Sequence, residues 1–431
     1  MLLLPGRRDL LALMAYRPMR YPFLLASANT WRLFAFPERP LVLEPPASEE
    51  KILDFGRAMD DLFLSLRRPS PLAFAGGWTM YWGFEARPFA LPAQAPASPL
   101  PLAALWRVPA VIGVEGEKTF LAAQNKDLLH EMEKDLACAP PLSLPAVAAS
   151  SLAEEPPEHF MAGVLKILDF IREGEVYQVN LARRFEVFLQ DAAPWEVFAA
   201  LRLANPAPHM ALWLFSPDTA IVSASPERLF CVHDGKICTR PIAGTSRRSS
   251  RPARDLAQAR ALLASAKDRA EHVMLVDLAR NDLGKICIPG SIAVRDFFSL
   301  RTYATVHHLE SEVEGKLRQD VTPSKIILSL FPGGTITGCP KIRATEIISS
   351  LEPWAREAYT GGVGWLSRSG NMDMNILIRT LIQTGKQLSF CAGAGIVADS
   401  RPEKELLETY AKAKGILHAL GMGRSNGDSS C

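Results

Sequence analysis

What most restricts the fold of this 431-residue chain is a series of short apolar runs, each broken by residues that turn the backbone tightly. Ser216-Pro217-Asp218 separates MALWLF from AIVSAS, and Asp234-Gly235 separates RLFCV from KICTR. Asp-Gly tolerates the positive φ angles that a tight hairpin demands. Near the end, GGVGWL, DMNILIRTLIQ and QLSFCAG are parted by Ser369-Gly370-Asn371 and by Thr384-Gly385. Hairpins in series pair neighbouring strands antiparallel, with helices expected over one side of the sheet. The predicted class is α+β, not doubly wound α/β.

Three helices frame these strands. Phe160, Val164, Ile167, Leu168 and Ile171 recur at helical spacing and stop at Gly174. A second helix is predicted from about Asp255 to Asn281. A third follows Ser400, which with Glu403 reads as a capping box, and runs to about Leu420. The stretch from Cys138 to Pro157 is rich in Pro, Ala and Ser without a period, so it reads as a linker. The chain is therefore divided into residues 1–150, 151–421 and a tail, 422–431. The first part shows one distinctive piece, FAGGWTMYWGFEARPF at 74–89.

Composition excludes several classes. With 48% hydrophobic and 22% charged residues the chain is globular, and a net charge of +2 gives no field to draw in nucleic acid. Its seven cysteines form no CxxC pair, which argues against a disulfide framework or a zinc site and for a reducing compartment. Arg7, Arg8 and Asp9 interrupt the apolar start, so no secretory signal is read. No run reaches the roughly 18 apolar residues of a membrane span. A cytoplasmic enzyme is expected.

Asp268 and Glu271 lie three apart on the second helix, and Glu405 and Glu408 do so on the third. Residues at that spacing share a face, and four carboxylates on two helices suit a hard cation such as Mg²⁺. The same spacing is common on solvated faces, with Lys267 or Lys404 as partners. FPGGTITGCPKIRATEII (331–348) passes from a loop into a helix start bearing Lys341 and Arg343, which favours an anion. No Gly-Lys-Ser/Thr follows, so it is not a phosphate-binding Walker loop. GAGIVA (393–398) matches a dinucleotide fingerprint, but the next helix starts too late, and close backbone approach to a small anion fits better. RPIAGTSRR (240–248) reads as a basic surface loop. His307 and His308 lie beside a strand-like run. Arg379, within the apolar run ILIRTLI, needs an anionic partner, which a bound carboxylate would supply.

Taken in order, YQVNLARR, SASPERLF, RPIAGT, KDRAEHVMLVDLARNDLG, VHHLES, FPGGTITGCPKIRATEII, YTGGVGW, GNMDMNILIRT, AGAGIVADS and PEKELLETYAK resemble the chorismate-binding enzymes over about residues 158 to 418. The resemblance implies two large, mainly antiparallel sheets packed face to face with helices outside, and a site for chorismate and Mg²⁺. Glu271 and Glu408 resemble the direct metal ligands, with Asp268 and Glu405 holding metal-bound water. Tyr359, Arg379 and the backbone of Gly393, Ala394 and Gly395 resemble the anchors of the enolpyruvyl carboxylate, and Lys412 a second clamp. Glu227 resembles the acid that protonates the departing 4-hydroxyl, and His308 the histidine beside the reacting ring.

Family resemblance also separates the branches. Isochorismate and salicylate synthases carry a lysine where Gln178 stands, to activate water. Anthranilate synthase component I shares Gln178 and PIAGT. Aminodeoxychorismate synthases often show PIKGT, with a lysine that attacks ring carbon 2; Ala243 stands there in this chain. The short chain, the Gly333-Gly334 loop and LLASA in place of LLES favour aminodeoxychorismate synthase component I. Met374 and Cys339 depart from both branches. Thr245, Ala243, Met374 and the Gly333-Gly334 loop are expected to steer the nucleophile. Ammonia is expected from a separate glutamine amidotransferase subunit, because no glutaminase Cys-His arrangement is recognisable. Anthranilate synthase component I and a non-catalytic chorismate-binding paralogue are the alternatives.

Overall fold

A strand covered on both faces is apolar at nearly every position, and the central strands of this protein are of that kind. In the strand Gly77–Trp82 every residue is buried. Trp78, Met80 and Trp82 pack against Ile52, Phe55 and Met59 of the helix Glu49–Leu66, while Tyr81 points into a different core. In His209–Leu214, likewise, Met210, Leu212 and Leu214 meet Val197 and Phe198 of the helix Pro194–Ala204, and Ala211 and Trp213 point the other way. Successive strand side chains alternate between faces, so double coverage erases the polar–apolar alternation. That is why the first 150 residues are hard to read from sequence.

The computed structural model describes residues 1–70, 74, 76–90, 98–144, 146–302 and 306–422. The predicted tail therefore lies outside the described residues apart from Met422. Among the described residues, one sheet has twelve strands and the other ten, and all the pairings between them are antiparallel. Phe23, Trp106, Trp213, Trp365 and Ile382 fill the space between the sheets. Helices cover the two outer faces. The α+β class and face-to-face sheets expected from the sequence are what the chain forms. No helix among the described residues is long and apolar enough to cross a membrane.

Both sheets draw strands from either side of residue 150. Phe23–Ala26 pairs with His209–Leu214 in one sheet, and Gly77–Trp82 pairs with Gly362–Ser367 in the other. The segment read as a linker contains a strand, Ala149–Glu154, laid on Gln178–Leu189. The helix predicted over 255–281 is two, Pro252–Ala264 and Ala266–Gly284, because Ser265 ends the first and its Oγ caps the second at Asp268 N (3.2 Å). Ser400 makes no capping box: Arg401 is the N-cap, and Ser400 Oγ accepts from Val397 N. The basic loop read at 240–248 contains a strand, Ile242–Arg247, paired with Val306–Lys316.

The most consequential difference lies in DMNILIRTLIQ, which is not one strand. Met372–Ile376 belongs to the ten-stranded sheet and Thr380–Thr384 to the twelve-stranded one. Beside it, Thr219–Ser225 and Arg228–His233 make the same passage in reverse. The two passages run together, because their strands pair in both sheets. Ile376 N donates to Glu227 O and Ala224 N to Arg379 O, each at 3.1 Å. Arg379 adopts φ +51° at this seam.

Close by, a buried ion pair ties the loops together. Arg356 grips Glu352 with two hydrogen bonds (2.6 and 2.7 Å) and donates to Asn180 O (2.7 Å) and Ile336 O (3.1 Å). Glu85, from the first part of the chain, accepts from Arg356 N and Glu357 N. Removing one member of such a pair leaves an uncompensated buried charge and costs about 3–5 kcal/mol. Arg356→Ala should therefore lower unfolding stability by about that amount in urea denaturation at neutral pH; a loss below about 1 kcal/mol would show that the pair does not hold these loops.

Candidate active site

At the seam between the sheets the chain exposes side chains that no ladder engages. Glu227 follows Pro226 in one passage and is almost fully buried. Thr335 Oγ1 donates to its Oε1 at 2.7 Å. Burial pushes the Glu227 carboxyl up to about 7; Thr335 and the Lys412 charge hold it down, while Glu310 pushes it further up. Glu227, Arg228, Thr239, Gly333, Gly334 and Ile376 line a cleft of about 400 Å³, counting its open mouth. Arg379, in the second passage, makes no ion pair or hydrogen bond through its guanidinium among the described residues, and burial lowers its pKa. A half-buried guanidinium without an anion is held at a cost that a ligand carboxylate removes.

The strands Gln178–Leu189 and Gln387–Ile396 form the adjoining wall. At Gly393 a Cβ would lie 2.6 Å from Asn180 Oδ1 and 2.7 Å from the Tyr359 hydroxyl, so only glycine allows this approach. Lys412 Nζ donates to Gly393 O at 2.9 Å and pairs with Glu408 at 2.7 Å. The Tyr359 loop is pinned to the seam by Thr360 N to Leu377 O (2.7 Å). Gln178 Oε1 and Asn180 Oδ1 are buried and have no hydrogen-bond partner among the described residues.

Opposite this wall the two acidic helix faces come within electrostatic reach of each other. Gln178 Nε2 donates to Glu271 Oε1 at 2.9 Å. Burial raises the Glu271 pKa, with Asp268 and Glu408 adding to the rise against the Gln178 hydrogen bond. Glu405 is raised chiefly by burial, and Glu408 contributes there too. Asp268 lies against Gly244, whose φ of +76° forms a bulge in Ile242–Arg247; a Cβ there would come 3.1 Å from Asp268 Cβ. Among the described residues no three His, Cys, Asp or Glu side chains stand close enough to form a ready-made metal cage. The donor set still fits a hard divalent cation: all four groups are carboxylates, and their mutual repulsion is what such an ion relieves.

His308 faces Thr245 across the strands, with Oγ1 and Nδ1 2.9 Å apart. Its pKa falls to about 4, first through burial and then through the charges of Arg379 and His307, so it is neutral at pH 7. Of the predicted residues Glu227, Gly333 and Gly334 line the cleft itself, while Gln178 with Glu271 and Lys412 with Gly393 and Glu408 are joined by the contacts above; two readings are corrected. Met374 is fully buried in the helix-side core against Gly362 and does not line the cleft. Nor is the helix start at Lys341 an anion site, because Lys341 is tied to Asp282 (2.6 Å) and Arg343 to Glu175 and Glu346.

With this geometry in view, comparison with known proteins is decisive about the family. A family model described as chorismate binding enzyme matches residues 29–418, far upstream of the first recognised motif. The chain belongs to this family. An anthranilate synthase component I-like protein of Synechocystis is 38% identical over 84% of this chain and 76% of its own length. Aminodeoxychorismate synthase component 1 of Salmonella typhimurium is 45% identical over 58% of this chain and 55% of its own. For the Salmonella relative, then, the match spans little more than half of that protein. Among solved structures, anthranilate synthase component I from Streptococcus pneumoniae superposes with a TM-score of 0.79 at 28% identity, covering 91% of this chain and 92% of that one.

For this chorismate-binding enzyme, sequence reasoning passed over Thr335, Glu310 and Asn180 although each lies inside a recognised motif. Their signal was position alone; what marks them is contact with Glu227 or with the glycine wall. Thr335→Val removes the hydrogen bond that holds Glu227 down, so its midpoint should rise above about 7. Potentiometric titration against Glu227→Gln isolates that proton; an unchanged or lower midpoint would remove Thr335 from the control of this acid.

Proposed function

We propose that the chain is an aminodeoxychorismate synthase component I, replacing the 4-hydroxyl of chorismate by ammonia to give 4-amino-4-deoxychorismate. The observation that carries the loss of the 4-hydroxyl is Glu227, a buried carboxyl protonated up to about pH 7 at the end of a cleft, and the Gly333-Gly334 loop with LLASA favours this member. Hydroxide is a poor leaving group, and a proton delivered as it departs lowers the barrier. Arg379, Tyr359 and the Gly393–Gly395 backbone would take the enolpyruvyl carboxylate. Lys412, already donating at Gly393, would strengthen the positive side of the site. Neutral His308, oriented by Thr245, would lie beside the ring.

Glu271 and Glu408 would hold Mg²⁺ directly, and Asp268 and Glu405 through water. When bound, the ion would act as a Lewis acid on the ring carboxylate. Gln178 favours amination over hydration of the ring, since its amide is donating to Glu271 and has no basicity with which to take a proton from water. The ammonia would come from a separate glutamine amidotransferase, as the name "component" suggests for the relatives. The purified chain should then turn over chorismate with ammonium but not with glutamine.

Glu271→Gln and Glu408→Gln should each abolish turnover with the fold intact, and excess EDTA should do the same to the native chain. Full activity in EDTA, or in both variants, would remove the metal from the scheme. Glu227→Gln should cost about 10²- to 10⁴-fold in rate. In the native chain, the step that needs this proton should fade as pH rises through about 7, because a raised carboxyl pKa leaves the donor loaded only below it.

Ala243, in place of the lysine of many aminodeoxychorismate synthases, favours a second reading as anthranilate synthase component I. The two products share every group named above, and about 1.4 kcal/mol between competing transition states changes their ratio tenfold. An ammonium-driven reaction should yield an intermediate that an added aminodeoxychorismate lyase converts to 4-aminobenzoate. Accumulation of fluorescent anthranilate and pyruvate without that intermediate would establish the second reading instead.

A further inference from the structure

The hairpin turning at Asp234-Gly235 carries two cysteines that the site does not use. Cys231 on Arg228–His233 and Cys238 on Lys236–Thr239 are register partners, directly opposite each other. Directly opposed residues in an antiparallel pair lie about 4.5–5.5 Å apart at Cα, within the about 4.4–6.8 Å that a disulfide spans. Val232 and Ile237 between them are buried in the helix-side core, so the two cysteines share the other face of the hairpin. Both are free and partly exposed, whereas Cys287 and Cys391 are buried. Among the described residues no other two cysteines face each other in a strand register.

We propose that Cys231 and Cys238 are a redox-active dithiol that a peroxide converts into a reversible cross-strand disulfide. Cys231 is the attacking sulfur: on its other side it stands in register with Asp373, which holds the Arg228 guanidinium at 2.9 and 3.1 Å. That guanidinium favours the thiolate, the form that reacts. The thiolate attacks one peroxide oxygen, forming S–O and breaking O–O, and the hydroxide released takes up the proton that Cys231 lost. Cys238 then attacks the sulfenic sulfur, forming S–S and breaking S–O, and its proton leaves with the second water. The two sulfurs give up two electrons together, and the peroxide is reduced to two waters.

Such a bond closes only the hairpin itself and is partly exposed, so it constrains the unfolded chain little and remains open to reducing thiols. It would lock the outer end of a strand whose inner end adjoins Glu227. Arg228 and Thr239, which flank the two cysteines, line the same cleft as Glu227, and Thr239 Oγ1 already bridges to Leu229 O at 2.8 Å.

Treatment of the whole chain with equimolar hydrogen peroxide, followed by a non-reducing peptide map, tests this. The expected result is a Cys231–Cys238 linkage, loss of both thiols to alkylation, and full recovery of both with dithiothreitol. In Cys238→Ser, Cys231 should instead stop at a sulfenic acid trapped by dimedone. In Cys231→Ser, Cys238 should stay reduced. A linkage to any other cysteine, or a wild-type chain in which Cys231 remains dimedone-reactive or alkylatable, would overturn the assignment; the wild-type map decides the matter even if a variant folds poorly.

Discussion

Everything at the site depends on two neighbouring stretches of backbone leaving one sheet and entering the other at the same place. A residue inside a ladder has its side chain committed to one of two faces. A residue at a passage between sheets is released from that choice, and here Glu227 and Arg379 occupy the two passages. The passages remain tolerable because each supplies the other's missing backbone hydrogen bond. Positive φ at Arg379, a conformation that non-glycine residues seldom adopt, is sustained by this mutual pairing. The result is an acid and a cation projecting from the rigid middle of a double sheet.

Around that seam the charges fall into groups, with Lys412 between them. Acids from two helices gather on one wall, where burial and mutual repulsion raise Glu271 and Glu405. Arg379 lies on the other side with the hydroxyl of Tyr359 and the backbone at Gly393, and Lys412 bridges the two, bonded to both Glu408 and Gly393 O. Glu227 stands apart from both groups. Thr335 and Lys412 keep its carboxyl near neutrality when burial alone would push it higher. The same residue type thus does different work according to what surrounds it: crowded carboxylates invite a cation, and an isolated buried one keeps its proton. The Arg356–Glu352 pair lies behind this arrangement, joining the glycine wall, the Tyr359 loop and the Thr335 turn into one block.

Much of this was legible in the residues. Turn chemistry at Asp234-Gly235, Thr384-Gly385 and the Ser369–Asn371 segment announced antiparallel strands, and helical periodicity found the helix Pro157–Arg172 and its stop at Gly174. The motifs named the residues that converge. Where the reading failed, a local pattern had been asked a non-local question. ILIRTLI looks like one apolar strand because each half is buried, although the halves lie in different sheets. Lys341 and Arg343 look like an anion trap until Asp282 and Glu175 arrive from distant helices and loops. Met374 looks like a pocket residue because it sits in a motif, yet its face of the strand is turned to the core.

By itself, then, the sequence determined the α+β class, the order of hairpins and helices, the family and the identities of the polar groups, because turns, caps and periodicity act over a few residues. Only the tertiary structure decided which of those groups share a space and in what charge state. Glu227 is an acid near pH 7 because burial raises it, Thr335 and Lys412 hold it back and Glu310 adds to the rise, all three residues far from it in the chain and brought close by the fold. Cys231 and Cys238 lie between the two cases: a hairpin turn puts them opposite each other, but their exposure and the nearby Arg228–Asp373 pair belong to the fold. Burial and electrostatics depend on distance in space, and nothing in a linear pattern carries that distance until the sheets have closed on each other.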